Sequence, residues 1–177
     1  MEGNTSIARD EDRIFVITRF FAAPRALVFK LWTEPQHMAQ WWGPRDFTNP
    51  VCQMDLRPGG AWRITMRAPD GTDYPLKGIF HDIAPPEHLV MSVDLSEHPE
   101  SWHDLVGPSR DKSQLRPRLA DFWTVSFDEK NGVTKLTVAF QLDSAATRDA
   151  LLRIGMKEGW GQSFDRLEAL AETVLQR

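Results

Sequence analysis

The spacing of hydrophobic and polar positions changes twice along the chain, and each change marks a change of element. Over residues 13–21, RIFVITRFF is dense in β-branched and aromatic side chains and predicts a strand. The next stretch, AAPRALVFKLW, sets Leu27, Val28, Leu31 and Trp32 at helical spacing behind Pro24, whose fixed φ suits a first turn. PQHMAQWW predicts a second short helix, opened by Pro35 and stopped at Gly43-Pro44. From there to residue 142 the period is two. In GAWRITMRA, Trp62, Ile64 and Met66 alternate with Arg63, Thr65 and Arg67, the pattern of a strand with one face in water. HLVMSVDLS places Leu89, Met91, Val93 and Leu95 on one face. FWTVSFDEKNGVTKLTVAFQL reads as two strands about Asn131-Gly132, with Trp123, Val125, Phe127, Leu136, Val138 and Phe140 inward. Gly59-Gly60 and Asp70-Gly71 mark further turns, so the middle of the chain is an antiparallel meander.

The helical period returns at the end. One helix is expected from about Ala145 to Leu175, capped by Asp143 or Ser144. Met156, Trp160, Phe164, Leu167, Ala171 and Val174 form its apolar stripe. Beside the stripe runs a row of small residues, Gly155, Gly159 and Ser163, and a mid-helix glycine costs roughly 1 kcal/mol relative to alanine. The row therefore faces either a closely packed backbone or open space; Gly161 falls off both rows. Residues 97–120, EHPESWHDLVGPSRDKSQLRPRLA, are polar and too long for a tight turn. They are expected to form an inserted, structureless loop that acts as a mobile lid, anchored by Trp102, Leu105 and Val106. Residues 1–12 read as a flexible leader and 13–177 as a single domain.

Composition narrows the class. Of 177 residues, 41% are hydrophobic and 26% charged, the balance of a globular protein rather than a disordered one. A net charge of −4 and a pI near 5.7 argue against a nucleic-acid partner. No apolar run approaches the roughly 20 residues of a membrane span, and MEGNTSIARDEDR lacks the apolar region of a secretory signal, so a cytoplasmic location is expected. Cys52 is alone, which excludes an intrachain disulfide. Seven tryptophans against one tyrosine point to an aromatic core or pocket wall.

Chemical motifs are sparse. EHPESWHD holds His98, His103, Glu97, Glu100 and Asp104, but at no zinc-binding spacing, so a solvated loop with no metal is expected. His81 and His88 read as surface residues at strand ends. There is no nucleophile elbow and no phosphate loop, and no cofactor is implied. Asp55 and Arg57 flank Leu56 and are placed to form an ion pair. Asp82 stands two residues after Phe80, which in a regular strand puts both on one face. It is the candidate acid, catalytic or anchoring, at the rim of any cavity that Phe80 lines.

Four ordered blocks add a resemblance. RFFAAPRALVFKLWTEPQHMAQWWGP, DLRPGGAWR, GIFHDIAPPEHLV and GMKEGWGQSFDRLEAL resemble the activator of heat shock protein 90 ATPase homologue (AHSA-like) family, from about residue 13 to 175. The resemblance implies the α+β helix-grip fold of the START-like (SRPBCC) superfamily. In it a curved antiparallel sheet wraps a long C-terminal helix, often around a largely apolar cavity. Superfamily members include lipid carriers, hormone receptors and polyketide cyclases. On that fold the cavity is expected to be lined by Trp62, Ile64, Phe80, Met91, Val93, Trp123, Val125 and Phe127 from the strands. Met156, Gly159 and Trp160 are expected to line it from the helix, with Trp41-Trp42 plugging one end. The leading expectation is a binder of a small hydrophobic molecule (a lipid, polyketide or aromatic metabolite), as a monomer or homodimer. The alternatives are a cyclase or hydratase using the same cavity, with Asp82, Asp55 or the loop histidines as its acid or base, and a co-chaperone-like protein-interaction module. Chaperone activators of this type carry a further N-terminal domain, and only about a dozen residues precede the blocks here, so co-chaperone activity is not expected.

Overall fold

A computed structural model describes residues 11–177, so the leader expected over 1–12 lies almost wholly outside the described residues. The chain opens with β1 (Ile14–Phe21), then α1 (Arg25–Thr33) and α2 (Pro35–Trp41). Both prolines act as the sequence suggests. Pro24 caps α1 and its carbonyl accepts from Leu27 and Val28 N–H, while Pro35 occupies the first turn of α2. Five strands and a short helix follow: β2 (Thr48–Met54), β3 (Ala61–Arg67), β4 (Asp73–Ala84), β5 (His88–Ser92), α3 (Glu100–Val106) and β6 (Ala120–Lys130). The chain ends with β7 (Val133–Leu142), α4 (Ala145–Arg153) and α5 (Met156–Leu175). The strands form one curved antiparallel sheet of order β1-β7-β6-β5-β4-β3-β2. This is the helix-grip arrangement, with α5 and the two short helices on one face of the sheet.

The period-two faces are buried as read. Trp62, Ile64, Leu89, Met91, Val93, Trp123, Val125, Phe127, Leu136, Val138 and Phe140 all lie in the core. Asn131 and Gly132 both take positive φ, the conformation that a two-residue hairpin turn requires. Asp55 and Arg57 form the expected ion pair at 2.8 Å.

Three expectations need correction. The C-terminal helix is two helices, because Gly155 adopts φ +104 and interrupts the backbone ladder between α4 and α5. Glycine is compatible with both a continued and a broken helix, so the sequence pattern alone does not reveal the break. Of the two expected caps, Ser144 is the one used at α4, accepting from Thr147 N–H at 3.1 Å. Residues 97–120 are not structureless either: α3 occupies 100–106, and regular structure is absent only from 97–99 and 107–119.

The third correction is Asp82. A β-bulge interrupts the β4–β5 ladder, so that Phe80 pairs with Met91 and Asp82 with Val90, leaving His81 as the extra residue. One added residue reverses the alternation beyond it. Phe80 is buried, Asp82 sits on the opposite face with its side chain 61% exposed, and its carboxylate meets His88 Nε2 at 2.7 Å.

Candidate functional site

The interior is filled unevenly. Near the Asn131-Gly132 turn, α1 plugs the space under the sheet, where Phe29 and Trp32 pack edge-on against Phe127. At the other end of the strands no such plug exists, and a cavity of about 320 Å³ remains. Its floor is made by strand ends: Met66 and its partner Tyr74, Leu76, Leu95, Trp123, and the paired Ala120 and Leu142. The α4–α5 junction roofs it, with Leu151, Ile154, Gly155, Met156, Gly159, Trp160 and Ser163. Trp42, Gly43, Pro44 and Phe47 form one side, and His98 and Trp102 form another.

The tryptophans organise this wall. Trp42 stacks on Trp123 at 5.6 Å, and both meet Trp160 edge-on at 5.1 and 5.3 Å. Trp32, Trp41 and Trp62 extend the same cluster behind them. Such offset and edge-on ring pairs stabilise by roughly 0.5–1.5 kcal/mol each beyond their area, which makes this a stiff wall. Trp102 stands apart, against His98 at 4.5 Å.

Two fastenings hold the Trp42 side in place. Arg166 on α5 donates to the carbonyls of Gln40, Trp42, Gly43 and Pro44 at 3.0–3.1 Å, capping the C-terminal end of α2 with a cation. The Arg45 N–H donates to Gln162 Oε1 at 2.9 Å. The small-residue row has a different task at each position. Gly155 supplies the left-handed turn, Gly159 is part of the cavity roof, and Ser163 donates to the Gly159 carbonyl at 3.1 Å.

His98 and Tyr74 are the titratable groups on the cavity wall. His98 is only 4% exposed. Its Nδ1 lies 2.9 Å from the Pro75 carbonyl, an oxygen that can only accept, so Nδ1 carries the proton and Nε2 the lone pair. Desolvation pushes its pKa down to about 4, so the ring is neutral. His103, 1% exposed, fastens α3 in the same way by donating from Nε2 to the Leu95 carbonyl at 3.1 Å.

The expectation that these histidines sit in a solvated loop is therefore corrected. Both are buried because α3 folds back onto the sheet and their ring N–H groups reach backbone carbonyls, that of Pro75 in β4 and that of Leu95 just beyond β5. The acidic members of EHPESWHD are drawn elsewhere. Glu97 pairs with Arg63 and Lys77, and Glu100 and Asp104 pair with Arg110. Among the described residues no cluster of three or more histidine, cysteine or carboxylate groups is arranged for a metal ion.

Of the residues expected to line a cavity, Trp123, Met156, Gly159 and Trp160 do so. Trp62, Ile64, Phe80, Met91, Val93, Val125 and Phe127 are buried but belong to the packed part of the core, away from the cavity wall. Period two identifies the inward face of a strand, but not how far along the strand a gap lies. Asp82, on the outer face, has no access to the cavity. Of the three lid anchors, Trp102 reaches the wall, Val106 is buried outside it, and Leu105 is 61% exposed. Met66 and Leu95 share faces already read as inward, so they were within reach of the sequence. Leu142 likewise continues the inward set Leu136, Val138 and Phe140, whereas Tyr74, His98 and Ile154 carried no such signal.

Residues 22–172 match the family model described as activator of Hsp90 ATPase homolog 1-like protein. The chain belongs to this family. No curated protein matches it. Among solved structures, a protein of Nitrosomonas europaea superposes with a TM-score of 0.76 at 22% identity, over 95% of this chain and 99% of its own. A Mycobacterium smegmatis protein gives 0.74 at 23% identity, over 93% and 94%. The AHSA1 protein of Silicibacter pomeroyi gives 0.66 at 22%, over 93% and 99%. At these identities the likeness speaks for the AHSA1 fold alone. No helix among the described residues is long and apolar enough to cross a membrane.

Proposed function

We propose that this AHSA1 family member binds a small, predominantly apolar molecule in the cavity beneath the α4–α5 junction. One observation carries the reading: in an otherwise close-packed interior, about 320 Å³ is left open behind a braced wall of Trp42, Trp123 and Trp160. Small-molecule sites fall in the range of roughly 300–1,000 Å³, are mostly apolar, and carry few polar groups. Flat rings on the wall favour a flat guest, so an aromatic or polyketide-like molecule suits it better than a flexible acyl chain. The cyclase or hydratase reading loses Asp82 and Asp55, which lie outside the cavity wall.

The test is thermal unfolding against a library of aromatic metabolites, polyketides and lipids, with native mass spectrometry of the purified protein. A ligand that binds only the folded state raises the midpoint with its concentration. The expected result is stabilisation by planar compounds, lost in Gly159→Leu, which fills the roof of the cavity. No stabilisation by any class, together with no co-purifying ligand, would overturn the proposal.

A further inference from the structure

Two titratable side-chain groups on the cavity wall have no hydrogen-bond partner among the described residues, the Tyr74 hydroxyl and His98 Nε2, and the His98 ring is the one fixed by a hydrogen bond of its own. His98 is held on three sides: its Nδ1–H donates to the Pro75 carbonyl, Tyr74 meets its ring edge-on at 5.4 Å, and Trp102 does so at 4.5 Å. Nε2 has no hydrogen-bond partner among the described residues, although the side chain is almost fully buried. We propose that His98 Nε2 is the hydrogen-bond acceptor of the site, and that the cavity selects planar ligands bearing a hydroxyl or similar donor over equally apolar ligands without one. The inference rests on the proposed function and adds the ligand's polar group to it.

The chemistry is specific. A neutral imidazole whose Nδ1 is already committed offers a single lone pair and no second donor, so it recognises an O–H or N–H and not a bare carbonyl. Burial holds the ring neutral, its pKa lowered to about 4, so the lone pair stays available at neutral pH. Ser163 is not a free donor, because its hydroxyl already donates to the Gly159 carbonyl. The Tyr74 hydroxyl, which can donate and accept, is the same in the wild type and in His98→Asn, so the variant isolates the Nε2 contribution. An acceptor whose water is displaced by a bound ligand and left unpaired carries a desolvation penalty, which a donor-bearing ligand avoids and a methylated analogue does not.

The probes are 2-naphthol and 2-methoxynaphthalene, two bicyclic compounds that differ in the donor, titrated calorimetrically into the full-length protein and into His98→Asn. Asparagine retains an amide N–H at the place of Nδ1 for the Pro75 carbonyl but lacks the Nε2 acceptor. The expected result is roughly threefold to tenfold tighter binding of the naphthol, the value of one net hydrogen bond, although the ether is the more apolar compound. In His98→Asn the ratio falls to about one. As a reading independent of the variant's folding, the His98 Nε2 nitrogen-15 signal of the wild-type protein should move upfield with the naphthol and not with the ether. Equal binding of both compounds, or a preference that survives His98→Asn, overturns the acceptor role while the cavity reading stands. Binding of neither compound overturns both.

Discussion

At the scale of single residues, the glycines of the C-terminal segment show how one residue type serves two ends. Gly155 sits at φ +104, where an L side chain costs about 1–2 kcal/mol. A Cβ on Gly159 would meet only Pro44 Cγ, at an ordinary 3.7 Å. Gly155→Ala is therefore expected to lower stability by about 1–2 kcal/mol. Gly159→Ala should be neutral or gain up to about 1 kcal/mol from helix propensity. Parallel urea titrations read both, and a destabilised Gly159→Ala would mean that the roof is packed rather than open. His98 makes a second, pH-linked prediction. The unfolded chain protonates this histidine as pH falls through about 6.5, whereas the folded one holds out to about 4. In that window the unfolded state binds more protons, so the contribution is intact above pH 6.5 and is lost progressively toward pH 4. The loss approaches roughly 3 kcal/mol at the low end. Burial pushes the neighbouring His103 in the same direction, aided by the positive charges of Arg110 and Arg116. Denaturation midpoints measured from pH 7.5 to 4.5 should fall steeply in the wild type and markedly less in His98→Asn.

At the scale of elements, α3 decides what the 97–120 segment is. Seven residues of this composition make a poor isolated helix, since short helices are marginal in water. What retains it is attachment: His98 donates to the Pro75 carbonyl in β4, His103 to the Leu95 carbonyl beyond β5, and Val106 buries its side chain. Beyond Gly107 the chain is held mainly by the ion pairs of Arg110 with Glu100 and Asp104 until Arg118 and Leu119 rejoin the sheet, and between them Leu115 stands 95% exposed. Hydrogen exchange is accordingly expected to be slow at the amides of His103 and Gly107, which bond to Pro99 and His103 carbonyls, and fast across the unbonded amides between residues 109 and 117. Uniformly fast exchange over the whole segment would show that α3 is not docked. The β4–β5 bulge works at the same scale. It holds Phe80 in and turns Asp82 out, which moves a carboxylate away from the cavity with no change in the hydrophobic pattern.

At the scale of the whole molecule, the grip depends on a few long-range fastenings between α5 and the chain's first half. Arg166 is the foremost of them, bonding four carbonyls more than 120 positions earlier in sequence. It also fixes Trp42, Gly43 and Pro44, which form one side of the cavity. Arg166→Met keeps the aliphatic stem and removes the charge, and it should cost about 2–3 kcal/mol, since a hydrogen bond from a charged donor stabilises by roughly 1.5–3 kcal/mol and four sharing one head are not additive. Arg166→Lys should recover only part, because a point charge cannot replace the planar fork. Chemical denaturation checks both, and full stability in Arg166→Met would remove the clamp from this account. The outer face of β1 leaves Phe20 exposed to solvent, with nothing in the structure to cover it.

The opening strand and its two short helices, the inward faces of β3, β5, β6 and β7, and the hairpin at Asn131-Gly132 were legible in the sequence. Each follows from local chemistry: side-chain alternation, proline's fixed φ, and the tolerance of asparagine and glycine for positive φ. The family could likewise be read from four ordered blocks of residues. Three decisions belong to the tertiary structure alone. Whether Gly155 continues a helix or breaks it depends on the α4–α5 junction that it serves, because glycine permits both. The face on which Asp82 falls depends on a one-residue slip against β5, which the spacing from Phe80 cannot reveal. The site itself depends on volume: α1 fills one end of the sheet and nothing fills the other, so seven residues with the right pattern became packed core while His98 and Tyr74 became cavity wall. Pattern sets which way a side chain faces, but a cavity exists only where opposing elements fail to meet, and that is settled by their relative placement in space.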